Sequence, residues 1–230
     1  GTPLTSIPDP FSKYESFGQH NNEKLKSFLD DFGFSYEFLS STKLYKSGFF
    51  DETIKIILQN YKKILSIMLP TLRDERQKNY SPFLPICPNT NKVLQVKIEE
   101  YKLDTNSIVY KDENTNKFVE VSVLKGGCKL QWKVDWAMRW IALEVDYEMC
   151  GKDLTESVNL GKSICSALDK KSPINFIYEM FLDITTFIEI PDSTTTFLSR
   201  NQNLPSVLYA GTDCANLDGL TNISGSSPVD

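Results

Sequence analysis

The hydrophobic positions of the chain fall into two periods. Leu25, Phe28, Leu29 and Phe32 recur at helical spacing within residues 20–32, and Gly33 follows where a left-handed cap is expected. Phe34, Tyr36 and Phe38 then alternate with Ser35 and Glu37, the period of a half-buried strand, and Ser40-Ser41-Thr42 offers a cap for another helical turn. The clearest element starts at Asp51. Ile54, Ile57, Leu58, Tyr61, Leu65 and Met68 predict one long helix that Pro70 ends. Helix, glycine, strand, cap and helix make an α/β rhythm.

That rhythm breaks at Val93. Short alternating runs over residues 93–98, 107–110 and 118–123, separated by polar turns, predict a small antiparallel β insertion spanning about residues 84–130. The rhythm resumes with an aromatic helix near residues 136–142, a strand near 145–149, a helix from Asp153 to about Leu168 and a strand over 176–182. Residues 1–183 therefore read as one α/β domain interrupted by the insertion. Residues 184–230 differ: they hold no lysine, one arginine, five acidic residues and thirteen Ser or Thr, so a divergent, poorly packed or disordered tail is expected.

Composition narrows the class without naming a partner. Over 230 residues, 40% hydrophobic and 24% charged positions sit near the globular average, and a net charge of -5 excludes a polybasic coat while leaving room for a local basic face. The longest apolar candidate, residues 53–69, carries Lys55, Lys62 and Lys63, so no membrane partner is expected. Five widely spaced cysteines without a C-x-x-C pair fit a reduced, cytoplasmic chain. Behind Gly1 there is no secretory signal, and the missing start residue points to a fragment.

Candidate chemistry gathers in two stretches. All three tryptophans lie within Lys129-Leu-Gln-Trp-Lys-Val-Asp-Trp-Ala-Met-Arg-Trp140, where Asp135 and Arg139 are spaced to pair on a helix. The run reads either as a core helix with one ion pair or as an aromatic wall for a cationic ligand. Downstream, Gly151-Lys152-Asp153 follows an apolar strand, where a glycine lets a ribose or phosphate approach the backbone; a turn glycine with an N-capping Asp153 fits as well. Cys87 and Cys128 bracket the insertion without a third and fourth soft ligand, so no metal site and no zinc are expected. His20, the single histidine, has no nucleophile motif beside it and reads as a capping or solvated side chain.

Several longer strings agree in order with one family. Gly1-Thr-Pro-Leu-Thr-Ser-Ile-Pro-Asp-Pro-Phe11, Tyr80-Ser-Pro-Phe-Leu-Pro-Ile-Cys-Pro88, the tryptophan run to Trp140, Val145-Asp-Tyr-Glu-Met-Cys-Gly-Lys-Asp-Leu154 and Phe176-Ile-Tyr-Glu-Met-Phe-Leu-Asp183 resemble the class I lysyl-tRNA synthetases, in their bacterial branch. The resemblance covers residues 1–183 and implies a partial Rossmann-type catalytic domain. It further implies a lysine–tRNA ligase, with lysine, ATP (and Mg2+ with it) and tRNA-Lys as partners. Carried over by position, Trp132, Trp136, Tyr178 and Glu179 would line the lysine pocket, and Gly151 and Asp153 would meet the ATP ribose. The family's His-x-Gly-His and Lys-x-Ser-Lys-Ser motifs, which stabilise phosphate charge, are absent from this chain. No catalytic residue is therefore assigned, and the isolated chain is expected to be inactive. The alternative is a catalytically dead module that binds tRNA or a protein partner. The sequence sets no oligomeric state.

Overall fold

The computed structural model describes residues 1–112 and 115–179, together with the backbone of four short strands beyond them. Ser16 starts α1 (Phe17–Asp31) by accepting the Gln19 N–H at 3.1 Å. Only Leu29 of its expected apolar face is deeply buried; Phe28 and Phe32 are 51% and 68% exposed and pack on each other, with centroids 4.7 Å apart. β1 (Tyr36–Phe38) follows, and α2 (Ser41–Ser47) is opened by the Ser40 hydroxyl and closed by Gly48 at φ 82°, a conformation that favours glycine.

The long helix expected from Asp51 is two helices, α3 (Asp51–Gln59) and α4 (Tyr61–Met68). Asn60 leaves the helical region at φ -103° and ψ 22°, and its side chain donates to the Ile56 carbonyl at 2.9 Å. The amide shares the Ile56 carbonyl with the Asn60 backbone N–H, and the apolar period runs through the change of direction. Asp51 occupies the first turn of α3 and accepts the Lys125 N–H at 2.9 Å, which ties that helix to a distant turn.

After the short α5 (Asp74–Gln77) and β2 (Phe83–Pro85), β3 (Ile98–Lys102), β4 (Ser107–Lys111) and β5 (Phe118–Ser122) form a three-stranded antiparallel sheet. Its first strand lies later than the 93–98 run predicted; Val93 contributes an isolated bridge to Ile86. β6 (Cys128–Leu130) returns to pair antiparallel with β2. The chain then runs through α6 (Trp132–Ala142), β7 (Tyr147–Gly151), α7 (Thr155–Ala167) and β8 (Ile174–Tyr178). β9 (Phe181–Leu182), β10 (Glu189–Ile190), β11 (Thr195–Ser199) and β12 (Ser206–Ala210) complete the order.

A five-stranded mixed sheet has the order β1-β12-β11-β7-β8, with β7 parallel to β8, β1 parallel to β12 and β11 antiparallel to both neighbours. Of the stretch expected as a poorly packed tail, only strand backbones are described; the rest lies outside the described residues. The core forms where α6 packs on α3 and α7, and α7 on α4. Phe50, Ile54, Ile57, Leu58 and Ile64 are buried there together with Trp136, Trp140 and Ile164. Gly161 makes the α6–α7 approach possible, because a Cβ at that position would lie 2.5 Å from the Trp140 ring.

Candidate functional site

Two clusters meet at β7. The first is the buried face of α6. Trp132 and Trp136 stack with centroids 5.1 Å apart at 21°, and Trp140 continues the row at 5.1 Å and 49°. Trp136 and Trp140 are fully buried, whereas Trp132 is half-buried and forms the outer end of the row. One turn apart, Asp135 and Arg139 pair as their spacing predicts, and the Tyr45 hydroxyl from α2 donates to the same carboxylate. A buried guanidinium and carboxylate are tolerable only when paired and hydrogen-bonded, and this pair is.

Glu148, on β7, meets the inner end of the row. Its Oε2 accepts the Trp140 indole N–H at 2.5 Å, while Oε1 is buried with no hydrogen-bond partner among the described residues. Burial pushes this carboxyl well above its ordinary value, against the opposing influence of the Trp140 and Trp136 indoles and the Arg139 charge. Sequence reasoning passed over Glu148. The available signal was an acid in phase with Cys150 on the buried side of the strand.

The second cluster lies at the carboxyl ends of β7 and β8. Gly151 is the register partner of Tyr178, and a side chain at position 151 would meet Asp153 Oδ1 at 2.6 Å and the Tyr178 ring at 3.8 Å. Glycine keeps this corner open. Asp153 does not cap α7; it sits in a single 3-10 turn, Lys152–Leu154, and faces Gly151. Of the positions expected to act together, Gly151, Asp153 and Tyr178 are therefore adjacent. Glu179 turns instead to Lys152, whose Nζ donates to it at 3.0 and 3.3 Å on an exposed part of the surface.

The remaining candidates resolve physically. His20 is neither solvated nor a cap: it is 3% exposed, and its Nδ1 lies 3.2 Å from the buried Asp9 carboxylate, with Phe11 stacked on the ring at 4.7 Å. Cys87 and Cys128 are free thiols in opposite environments. Hydrogen bonds from Thr90 and Asn89 hold the Cys87 thiol below its ordinary value, whereas burial drives that of Cys128 upward. No group of three or more His, Cys, Asp or Glu side chains suited to a metal ion occurs among the described residues, and none of their helices is long and apolar enough to cross a membrane.

The chain resembles known proteins. A family model described as tRNA synthetases class I (K) matches residues 1–207. Over 181 residues the chain is 56% identical to the lysine–tRNA ligases of Rickettsia bellii (strain RML369-C), Rickettsia felis and Rickettsia prowazekii (strain Madrid E). In each case the match takes 79% of this chain and 34% of the relative, so the chain spans about a third of the length of the curated proteins it matches. The corner at Gly151 and the tryptophan helix lie within the residues the family model covers, and the chain belongs to the class I tRNA synthetases of the lysine type.

Proposed function

We propose that the chain is part of the catalytic domain of a cytoplasmic lysine–tRNA ligase, in which lysine is activated by ATP and passed to tRNA-Lys. The mixed sheet is read as a partial Rossmann-type core, with β3, β4 and β5 as its antiparallel insertion. One observation carries the reading: Gly151, Asp153 and Tyr178 meet at the carboxyl ends of two parallel strands. Ligands of open α/β sheets bind at such strand ends, because the backbone there is accessible and helices begin beside it. The bare Gly151 backbone would admit the adenosine ribose, and the Asp153 carboxylate would accept its hydroxyl protons. Trp132 would offer its outer face to the lysine side chain, with Trp136 packed behind it. Tyr178 would close the corner from β8, and Glu179 would supply a carboxylate at the rim. Mg2+ would arrive with the ATP phosphates; no side chain of this chain is assigned to it.

The isolated chain lacks the two phosphate-handling motifs, and each lost transition-state donor costs a factor on the order of 10² to 10³ in rate. Lysine-dependent ATP–pyrophosphate exchange by this chain should therefore stay at the level of an Asp153→Ala control. Binding should survive where catalysis does not. A non-hydrolysable lysyl-adenylate analogue should shift the tryptophan fluorescence saturably, and Asp153→Ala should abolish that shift. A folded chain that ignores the analogue would overturn the reading.

A further inference from the structure

β8 leaves one side of the sheet open. Among the described residues its strand neighbour is β7 alone, so β8 forms an edge of the mixed sheet. The Ile174 N–H donates to the Asp146 carbonyl at 2.9 Å, and backbone groups alternate along a strand, so Ile174, Phe176 and Tyr178 bond toward β7. The N–H and C=O groups of Asn175 and Ile177 therefore point away from the sheet, where another strand can pair with them. Side chains alternate as well: Ile174 and Phe176 leave one face, 70% and 49% exposed, and Ile177 leaves the other, 40% exposed. Large apolar side chains gathered in water along one edge mark a contact surface. The two ends of this edge carry opposite charge. Lys171 lies four positions before Asn175 and Glu179 four positions after it, and both side chains are exposed.

We propose that β8 pairs antiparallel with β8 of a second copy of this chain, about a twofold axis that passes through Asn175. That axis sets Asn175 opposite its own copy as a pair exchanging backbone N–H···O=C bonds, which its outward-facing groups allow. It sets Ile174 opposite Phe176 of the second copy, twice over by symmetry, so four exposed apolar side chains close into one cluster on a single face. Lys171 comes to lie opposite Glu179 of the second copy, again twice. Ile177 meets Pro173, whose carbonyl accepts its N–H; the ring returns none, so that pair has one bond instead of two. Moving the axis to Phe176 would set Glu179 opposite Pro173 and lose the charge match. Lysine and proline guard edge strands against indiscriminate pairing, and Lys171 and Pro173 do so here. A second copy meets that guard with an acid in register. Glu179, proposed above for the rim of the lysine site, would then stand between Lys152 of its own chain and Lys171 of the other. The inference goes beyond the lysine-binding reading and does not rest on it.

The test is sedimentation velocity of the 230-residue protein at low salt, from micromolar to near-millimolar concentration. Wild type should pass from monomer to dimer as the concentration rises. Lys171→Glu and Glu179→Lys should each weaken the dimer about tenfold, since each turns two attractive cross-strand pairs into repulsive ones. An equimolar mixture of these two variants should recover wild-type association, because the charges match again between unlike chains. Ile174→Lys should leave the chain monomeric with its urea midpoint near wild type, as the side chain it replaces stands mostly in water. A wild type that stays monomeric throughout would overturn the proposal and leave this edge to a different chain, whether or not lysine binds. A dimer that withstands Ile174→Lys or both charge reversals, or that the mixture does not recover, would place the contact on another surface or in another register and would overturn it as well.

Discussion

Two buried carboxyl groups on this chain meet opposite fates. Asp9, in the loop before α1, accepts the backbone N–H groups of Phe11, Lys13 and Tyr14 at 3.1, 2.8 and 3.0 Å and lies 3.2 Å from His20 Nδ1. Burial alone would raise its pKa, but those four donors bring it down to about 2. Glu148 is more deeply enclosed and has one indole donor at hydrogen-bond geometry, and its carboxyl is pushed well up. Deeper burial and fewer donors at Glu148, set against a shallower site with four donors at Asp9, together separate the two. Asp9 is spent on shaping a loop whose every donor is local. Glu148 keeps one oxygen idle on the inner side of the proposed lysine wall.

The most drastic way to break this comparison is to remove the cation that serves the α6 region. Arg139→Met leaves the buried Asp135 carboxylate without its ion-pair partner and takes away a charge that acts on Glu148. Breaking a buried pair from one side costs about 3–5 kcal/mol, so the urea midpoint should fall steeply. Loss of that size is expected only here; an outcome near wild type would mean that the pair is not desolvated in solution.

A subtler test uses the signs of the two shifts. Asp9 has a folded-state pKa near 2, below its ordinary 3.8, so the stability it contributes is present above about pH 4 and is lost as the pH falls toward 2. Glu148 runs the other way. Its folded-state pKa lies above its ordinary 4.5, so its contribution is complete below that value and is lost as the pH rises through the raised one. Urea midpoints measured from pH 2 to 8 should show Asp9→Asn flattening the acid limb and Glu148→Gln flattening the decline toward neutrality. At pH 7 Glu148→Gln should be the more stable protein.

Much of α6 was legible in the sequence, because what matters there is local. The spacing of Asp135 and Arg139 fixes their pairing, and tryptophans at every fourth position must share a stripe. The partners that complete the cluster were not legible. Tyr45 lies 90 positions before the Asp135 it donates to, and Glu148 differs from any solvent-facing strand acid only in its phase. The apolar period from Ile54 to Met68 continues across Asn60, so periodicity could not reveal a break at that one residue. The exposure of Phe28 and Phe32 had no signal either, since helical spacing tells which residues share a face and says nothing of what covers it. At the other cluster, the string Gly151-Lys152-Asp153 identified the corner, but its contact with Tyr178 follows from strand register, which no local motif encodes.

The smallest expected effect comes from an acid of the candidate site that stands in water. Glu179 pairs with Lys152, and the two side chains are 80% and 63% exposed. An ion pair between such groups is screened by salt and opposed by side-chain entropy, so Lys152→Ala should leave the urea midpoint within error of wild type. The same variant separates two roles for Glu179. If the carboxylate serves lysine at the rim, as proposed above, freeing it from Lys152 should tighten lysine binding slightly at low salt, and the gain should vanish as salt is added. If its partner is Lys152 alone, the fluorescence titration should not move at any ionic strength, and the rim carboxylate has no part in binding lysine.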